Sequence, residues 1–297
     1  MNETNNNVES MVNIRYGVAQ SRRLLIKALK AMSVFKEAIT VVGAHAVHVW
    51  IQEAWGKIEM EATRDSDVSV NPIFVASDPK IADLLKSIGV EPALTNRPGI
   101  YGLVAEGGIP LQARTTFDLI VPEVYAGGGR RAARIPGQKN SASRAVGLEL
   151  TLWDRSLLTL ESVDKPFETI EAYIAGPASL LVSKAHKVHE RLKQVATNPT
   201  RLRPKDSGDA ALLMMISDPG GVAATMRKGI DEHPEIADVV NSAVQWLIEM
   251  YSDSLDTPVT RQQAADSLAA RFDEDEVFPA IDRWLEDFEK CFKATTG

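Results

Sequence analysis

Residues 40–70 read TVVGAHAVHVWIQEAWGKIEMEATRDSDVSV, and their order decides the fold. Thr40, Val41 and Val42 form a short β-branched run, which predicts a buried strand. Gly43 permits a tight turn. Residues 44–54 then carry apolar side chains at Ala46, Val47, Val49, Trp50 and Ala54, which predicts a helix. Val68 and Val70 signal a second strand, led in by Thr63-Arg64-Asp65-Ser66-Asp67. Asp65 and Asp67 are two apart, so on an extended strand they point to one face. Carboxylates held that way repel each other unless a cation sits between them. Hard divalent cations such as Mg²⁺ or Mn²⁺ take oxygen ligands, often one or two carboxylates plus substrate phosphates. The spacing suits a metal-assisted phosphoryl-transfer site. Solvated surface acids are the plain alternative.

Two further features bear on that choice. A helix opening at Gly43 would offer free N–H groups and a favourable dipole to a phosphate. Residues 113–121, ARTTFDLIV, read as a strand with Asp118 set among Phe117, Leu119, Ile120 and Val121. An acid in so apolar a run needs a partner, a cation or a proton. A structural salt bridge to a nearby arginine would also satisfy it.

The Gly43 strand–helix turn, the Asp65-x-Asp67 strand and Asp118 on a later strand together resemble the DNA polymerase β-type nucleotidyltransferase superfamily. The likeness is strongest to its AbiEii/MenT-type branch, the nucleotidyltransferase toxins of bacterial toxin–antitoxin and abortive-infection systems. That branch usually opens the helix with Gly-Gly or Gly-Ser; Gly43-Ala44 departs from this and keeps only the backbone N–H groups. A second block matches at residues 176–191, GPASLLVSKAHKVHER, followed by Lys205-Asp206-Ser207-Gly208-Asp209. Lys184 and Arg191 are seven apart and share nearly one helical face.

The resemblance implies Mg²⁺ or Mn²⁺ held by Asp65, Asp67 and Asp118, with Asp118 as a second-cation ligand or general base. It implies Lys184 facing the phosphates of an NTP and Asp206 required for activity, with Asp209 a further candidate. Gly43, Ala44, Ser66, Lys184 and Arg191 become nucleotide contacts, Ser66 with its side chain expected on the opposite side of the strand. The implied reaction moves a nucleoside monophosphate to the 3′ end of tRNA and releases pyrophosphate. A cognate antitoxin protein is implied as partner. Two alternatives stay open: a small-molecule or protein hydroxyl as acceptor, and a catalytically silent binding protein of the same fold.

The whole chain sets outer bounds. It is 44% hydrophobic and 25% charged over 297 residues, which fits a globular protein of one large or two modest domains. Cys291 is the one cysteine, so an intramolecular disulfide and a Cys-based zinc site are excluded. No apolar run of membrane-spanning length occurs, and MNETNNNVES lacks the features of a secretory signal. These points predict a cytoplasmic protein without a membrane partner. The net charge of −7 argues against wide non-specific nucleic-acid binding but leaves room for a local basic groove.

Residues 1–10 are expected to be disordered. Ile14, Val18, Leu25, Leu29 and Met32 fall at helical spacing, with Arg22, Arg23, Lys27 and Lys30 read as a solvated basic face or a contact for a nucleic acid or an acidic partner. His45 is expected near the phosphate site and His48 in a structural place. Asp78 is read as the cap of a helix starting at Pro79. Strands are predicted at 100–104, 111–121 and 148–162. Residues 127–144 hold four arginines, one lysine and four glycines, which predicts a mobile loop. Arg130, Arg131, Arg134, Lys139 and Arg144 would make it a basic flap over a triphosphate or an RNA backbone. Helix is expected throughout from residue 170, with Asp206 at an N-cap. The predicted class is α+β (α/β): a catalytic domain at 1–165 with a mixed sheet flanked by helices, and a helical bundle at 166–297 contributing Lys184 and Asp206 to the cleft.

Overall fold

The computed structural model describes residues 2–56, 63–94, 97–165, 167–253 and 259–294, with the side chains of 2–15 and 112 outside the description. Ile14 therefore lies outside the described side chains. The chain divides into two compact units. One comprises Met1–Val49, Lys57–Ala145 and Ser156–Ile174; the other comprises Trp50–Gly56, Val146–Arg155 and Ala175–Gly297.

In order, the chain runs α1 (Asn2–Ala31), a 3₁₀ turn, β1 (Ile39–Val42), α2 (Gly43–Trp55, passing into the second unit at Trp50), β2 (Asp65–Val70), α3 (Ile81–Lys86), β3 (Val90–Pro92) and β4 (Ile100–Leu103). It continues through β5 (Thr116–Pro122), β6 (Ser143–Ala145), β7 (Arg155–Glu161) and β8 (Thr169–Ala175). These strands form one mixed sheet in the order β3-β4-β5-β2-β1-β8-β7, with β6 beside β5. β2 runs antiparallel to β1 and parallel to β5, and β1 runs parallel to β8.

The β-branched run of β1 is buried along its length, as a strand covered on both faces must be. α1 covers one face. Val18, Leu25, Ile26 and Leu29 are buried there, and Ser66 on β2 donates its hydroxyl to the Ser21 carbonyl at 2.9 Å. The disordered start expected for residues 1–10 is replaced by helix from Asn2.

The second unit holds α4 (Pro177–Lys193), α5 (Pro204–Ile216), α6 (Pro219–Glu232), α7 (Ala237–Tyr251), α8 (Val259–Leu268) and α9 (Glu274–Ala294). Proline stands in the first turn of α4, α5 and α6, where no N–H is missed. α5 and α8 approach closely because position 208 is glycine; a methyl group there would sit 2.5 Å from Ser267 Oγ. Buried Arg261 on α8 donates to Asp282 on α9 at 2.8 Å and to the Tyr251 carbonyl at 2.7 Å. No helix among the described residues is long and apolar enough to cross a membrane.

Several local expectations are corrected. Residues 169–175 form a strand beside β1, so the helical run begins at Pro177. Only residues 155–161 of the 148–162 stretch are strand; Glu149–Leu152 is a 3₁₀ turn. The 111–121 stretch likewise starts with a 3₁₀ turn, and β5 begins at Thr116. Asp78 does not cap α3. That helix begins at Ile81, whose N–H donates to Gln138 Oε1 at 2.9 Å, a cap supplied from far along the chain.

The 127–144 segment is tied down rather than free. Ala133 N–H donates to the Ala142 carbonyl, Lys80 Nζ to the Gly137 carbonyl, and Gln138 is buried, its amide donating to the Ala76 and Pro79 carbonyls. Its small apolar residues Ala133, Ile135 and Ala142 tuck inward, which the basic composition hid.

Candidate active site

β2 carries Asp65 and Asp67 on one face and turns Ser66 to the other. The parallel register with β5 sets Asp67 opposite Asp118 and Asp65 opposite Thr116. Two adjacent strands therefore bring three carboxylates to one face of the sheet.

The β1–α2 turn lies beside them, since Val42 pairs with Asp67 across the antiparallel ladder. Gly43 has φ of +66°, which favours glycine, and a Cβ there would stand 2.3 Å from Asp67 Oδ2. The aspartate carboxylate thus occupies the space that a side chain at 43 would need. Helix α2 starts at this glycine, so its N-terminal N–H groups and dipole point to the same neighbourhood.

Asp118 is strongly perturbed by its surroundings. Burial drives its pKa well above the ordinary carboxylate value, and the charges of Asp67 and then Asp65 push it the same way; a hydrogen bond with Thr116 opposes them. Its Oδ1 is buried and has no hydrogen-bond partner among the described residues. Among the described residues Asp118 has no salt bridge to an arginine.

An orphaned carboxylate oxygen beside two more carboxylates is an oxygen-only donor set, which suits a hard divalent cation. Among the described residues no three His, Cys, Asp or Glu side chains are already gathered as a metal-binding group. The donors share a face without forming a finished coordination sphere.

Ser66 is fully buried and bonded to α1, so its hydroxyl cannot reach a ligand on the Asp67 face. This removes it from the nucleotide contacts. His45 is also inside: Arg22 Nε donates to its Nδ1 at 3.0 Å, and its Nε2 lies 3.1 Å from Ser21 Oγ. Arg22, read as part of a solvated face, is fully buried, and burial lowers its pKa to about 10. Neither His45 nor Arg22 could be placed from sequence, because the pairing joins α1 to α2 across more than twenty residues.

The second unit gathers its own charged cluster. Lys184 on α4 is buried and donates to Asp209 at 2.5 Å and Asp206 at 3.4 Å on α5. Lys187 approaches Asp206 at 2.9 Å, and Arg191 is also paired with it. Burial lowers the Lys184 pKa, but the Asp209 and Asp206 charges outweigh it and the net shift is upward. For Asp206 burial acts upward, and Lys184, Lys187 and Arg191 together carry the pKa far down.

Asp206 is not the N-cap of α5. Arg203 holds that place, and Asp206 sits in the first turn with its side chain in the cluster. The spacing of Lys184, Lys187 and Arg191 along one helix, facing Asp206 and Asp209 three apart on another, was the signal for the full group.

Of the basic segment, Arg130, Arg131, Arg134 and Lys139 are exposed. Arg144 is committed elsewhere: it donates to both Glu123 oxygens at 2.7 and 2.6 Å and to the Gly127 and Gly129 carbonyls. No protein-family model, no curated protein and no solved structure matches this chain.

Proposed function

We propose that the chain is a divalent-cation-dependent nucleotidyltransferase that moves a nucleoside monophosphate from an NTP to a hydroxyl, with the 3′ end of tRNA as acceptor. The observation that carries this reading is the trio of Asp65, Asp67 and Asp118, with Asp118 half-buried, repelled, and holding a buried oxygen with no hydrogen-bond partner among the described residues, beside the Gly43 turn. Unsatisfied buried charge of this kind costs stability and is tolerated where function uses it.

Asp65, Asp67 and Asp118 would hold Mg²⁺ or Mn²⁺, which when bound supplies neutralising charge to a triphosphate. The first N–H groups of α2, at Gly43 and Ala44 beside Asp67, would take a phosphate oxygen. Asp118 would either hold a second cation or accept the proton of the attacking hydroxyl. The hydroxyl oxygen bonds to the α-phosphorus, the bond to the bridging oxygen breaks, and pyrophosphate leaves. Lys184 has the role of a held charge, positioned by Asp209 and Asp206. Arg130, Arg131, Arg134 and Lys139 are the exposed cations on offer to an RNA backbone. The antitoxin partner and the toxin role rest on the sequence resemblance alone.

The test is incubation with Mg²⁺ or Mn²⁺, each labelled NTP in turn and total tRNA, followed by a denaturing gel. Label migrating with tRNA supports the full reading. Pyrophosphate release with no label on RNA redirects the acceptor to a small molecule or a protein. No turnover with any NTP contradicts it.

A further inference from the structure

Asp65 is held from behind by a hydrogen-bonded chain that no part of the mechanism above uses. Thr63 Oγ1 donates to Asp65 Oδ1 at 2.7 Å. The Thr63 carbonyl accepts from Ser21 Oγ at 3.1 Å, a donor shared with the Val18 carbonyl at 3.0 Å. Ser21 Oγ in turn meets His45 Nε2 at 3.1 Å, and His45 Nδ1 accepts from Arg22 Nε at 3.0 Å. Arg22 also donates Nη1 to the Glu161 carbonyl at 3.2 Å. All four of Arg22, Ser21, His45 and Thr63 are buried, the most exposed of them at 6%.

The direction of this chain is set at its inner end. A guanidinium Nε always carries its hydrogen, so His45 Nδ1 must be the acceptor. The imidazole proton then stands on Nε2 and points at Ser21 Oγ. Ser21 Oγ, occupied as acceptor, must spend its own proton on the Val18 and Thr63 carbonyls. That fixes the Thr63 peptide, and with it the hydroxyl that meets Asp65. An arginine is the residue that enforces this order, because no proton can leave it at any ordinary pH.

We infer that Arg22, His45, Ser21 and Thr63 are positioning residues that orient the Asp65 carboxylate for its cation. This rests on the cation-binding reading given above. The plain alternative, a set of core hydrogen bonds without functional consequence, would make the chain matter to folding only. Residues oriented through an outer layer of hydrogen bonds commonly govern metal affinity by about ten- to hundred-fold.

The deciding experiment is Mn²⁺ titration, without nucleotide, of the parent protein, Thr63→Val and Thr63→Ser, with melting temperatures taken in chelator. Valine matches the shape of threonine and removes the hydroxyl; serine keeps it. The expected result is Mn²⁺ binding about ten-fold weaker in Thr63→Val and within about two-fold of the parent in Thr63→Ser. Parent-like Mn²⁺ affinity in Thr63→Val overturns the inference while leaving the cation site intact. Absence of Mn²⁺ binding by the parent itself overturns the cation reading, and this inference with it.

A second measurement is independent of metal: ¹⁵N spectra of labelled histidine in the folded protein. His45 is expected with its proton on Nε2, and a proton on Nδ1 would overturn the ordered chain even if the Thr63 variants behaved as expected.

Discussion

Asp118 carries a local cost in the sheet. It is driven toward the protonated form by burial and by Asp67 and Asp65, yet one oxygen has no hydrogen-bond partner among the described residues. Asp118→Asn keeps the shape and removes the repelled charge. In chelator its melting temperature should equal or exceed the parent's, whereas nucleotidyl transfer should fall by about a hundred-fold or more. A variant that lost stability but kept transfer would show that Asp118 serves the core instead. Much of this was readable from sequence. The two-residue spacing of Asp65 and Asp67 and the apolar neighbours of Asp118 mark a shared face and a buried acid without any tertiary information. The support behind Asp65 was not readable. It links Arg22, His45 and Thr63 through contacts that only the folded sheet and α1 create. Ser66 shows the same limit from the other side: strand alternation gave its direction, but only the fold gave its partner.

Helix pairs explain the second charged group. Lys184 on α4 is enclosed by Asp209 and Asp206 on α5, and Lys187 and Arg191 close the outer side of Asp206. Breaking one side of a buried pair leaves a bare charge. Asp209→Asn is therefore expected to destabilise the protein by about 3 kcal/mol or more, measured by urea unfolding. Pairing Lys184→Met with Asp209→Leu should recover a large part of that loss; no recovery would mean that packing, not charge, sets the cost.

α4 and α7 supply a pH test as well. His189 stacks on Trp246 with ring centroids 3.7 Å apart, and His186 meets the same indole edge-on at 4.9 Å. Burial lowers both histidine pKa values. The neighbouring His189 acts further on His186, and Lys193 on His189. The folded state then binds fewer protons than the unfolded chain below the ordinary histidine value of 6.5. Stability should be full above that value and decline as pH falls beneath it. Melting curves followed by tryptophan fluorescence should show the decline, and changing both histidines to glutamine should remove it. At this scale the long helices were plain from their periodicity. The strand at 169–175 was not, because a short half-exposed strand is defined by its pairing with β1 and β7 rather than by its own pattern.

Across the whole molecule, the chain crosses between its two compact units several times, with residues 50–56 and 146–155 grouped with the helices. Local pattern reads elements in order and cannot show such returns. The net charge of −7 likewise gave no hint that Arg130, Arg131, Arg134 and Lys139 would stand exposed together on one ordered segment while Arg144 turned inward. The central claim concerns what the Asp65–Asp67–Asp118 face does. The most direct test is pyrophosphate release and label transfer by the parent and by Asp67→Asn, side by side, with Mg²⁺, NTP and tRNA. The account predicts transfer by the parent and its loss in a variant that melts like the parent. Transfer by Asp67→Asn at the parent's rate would contradict it.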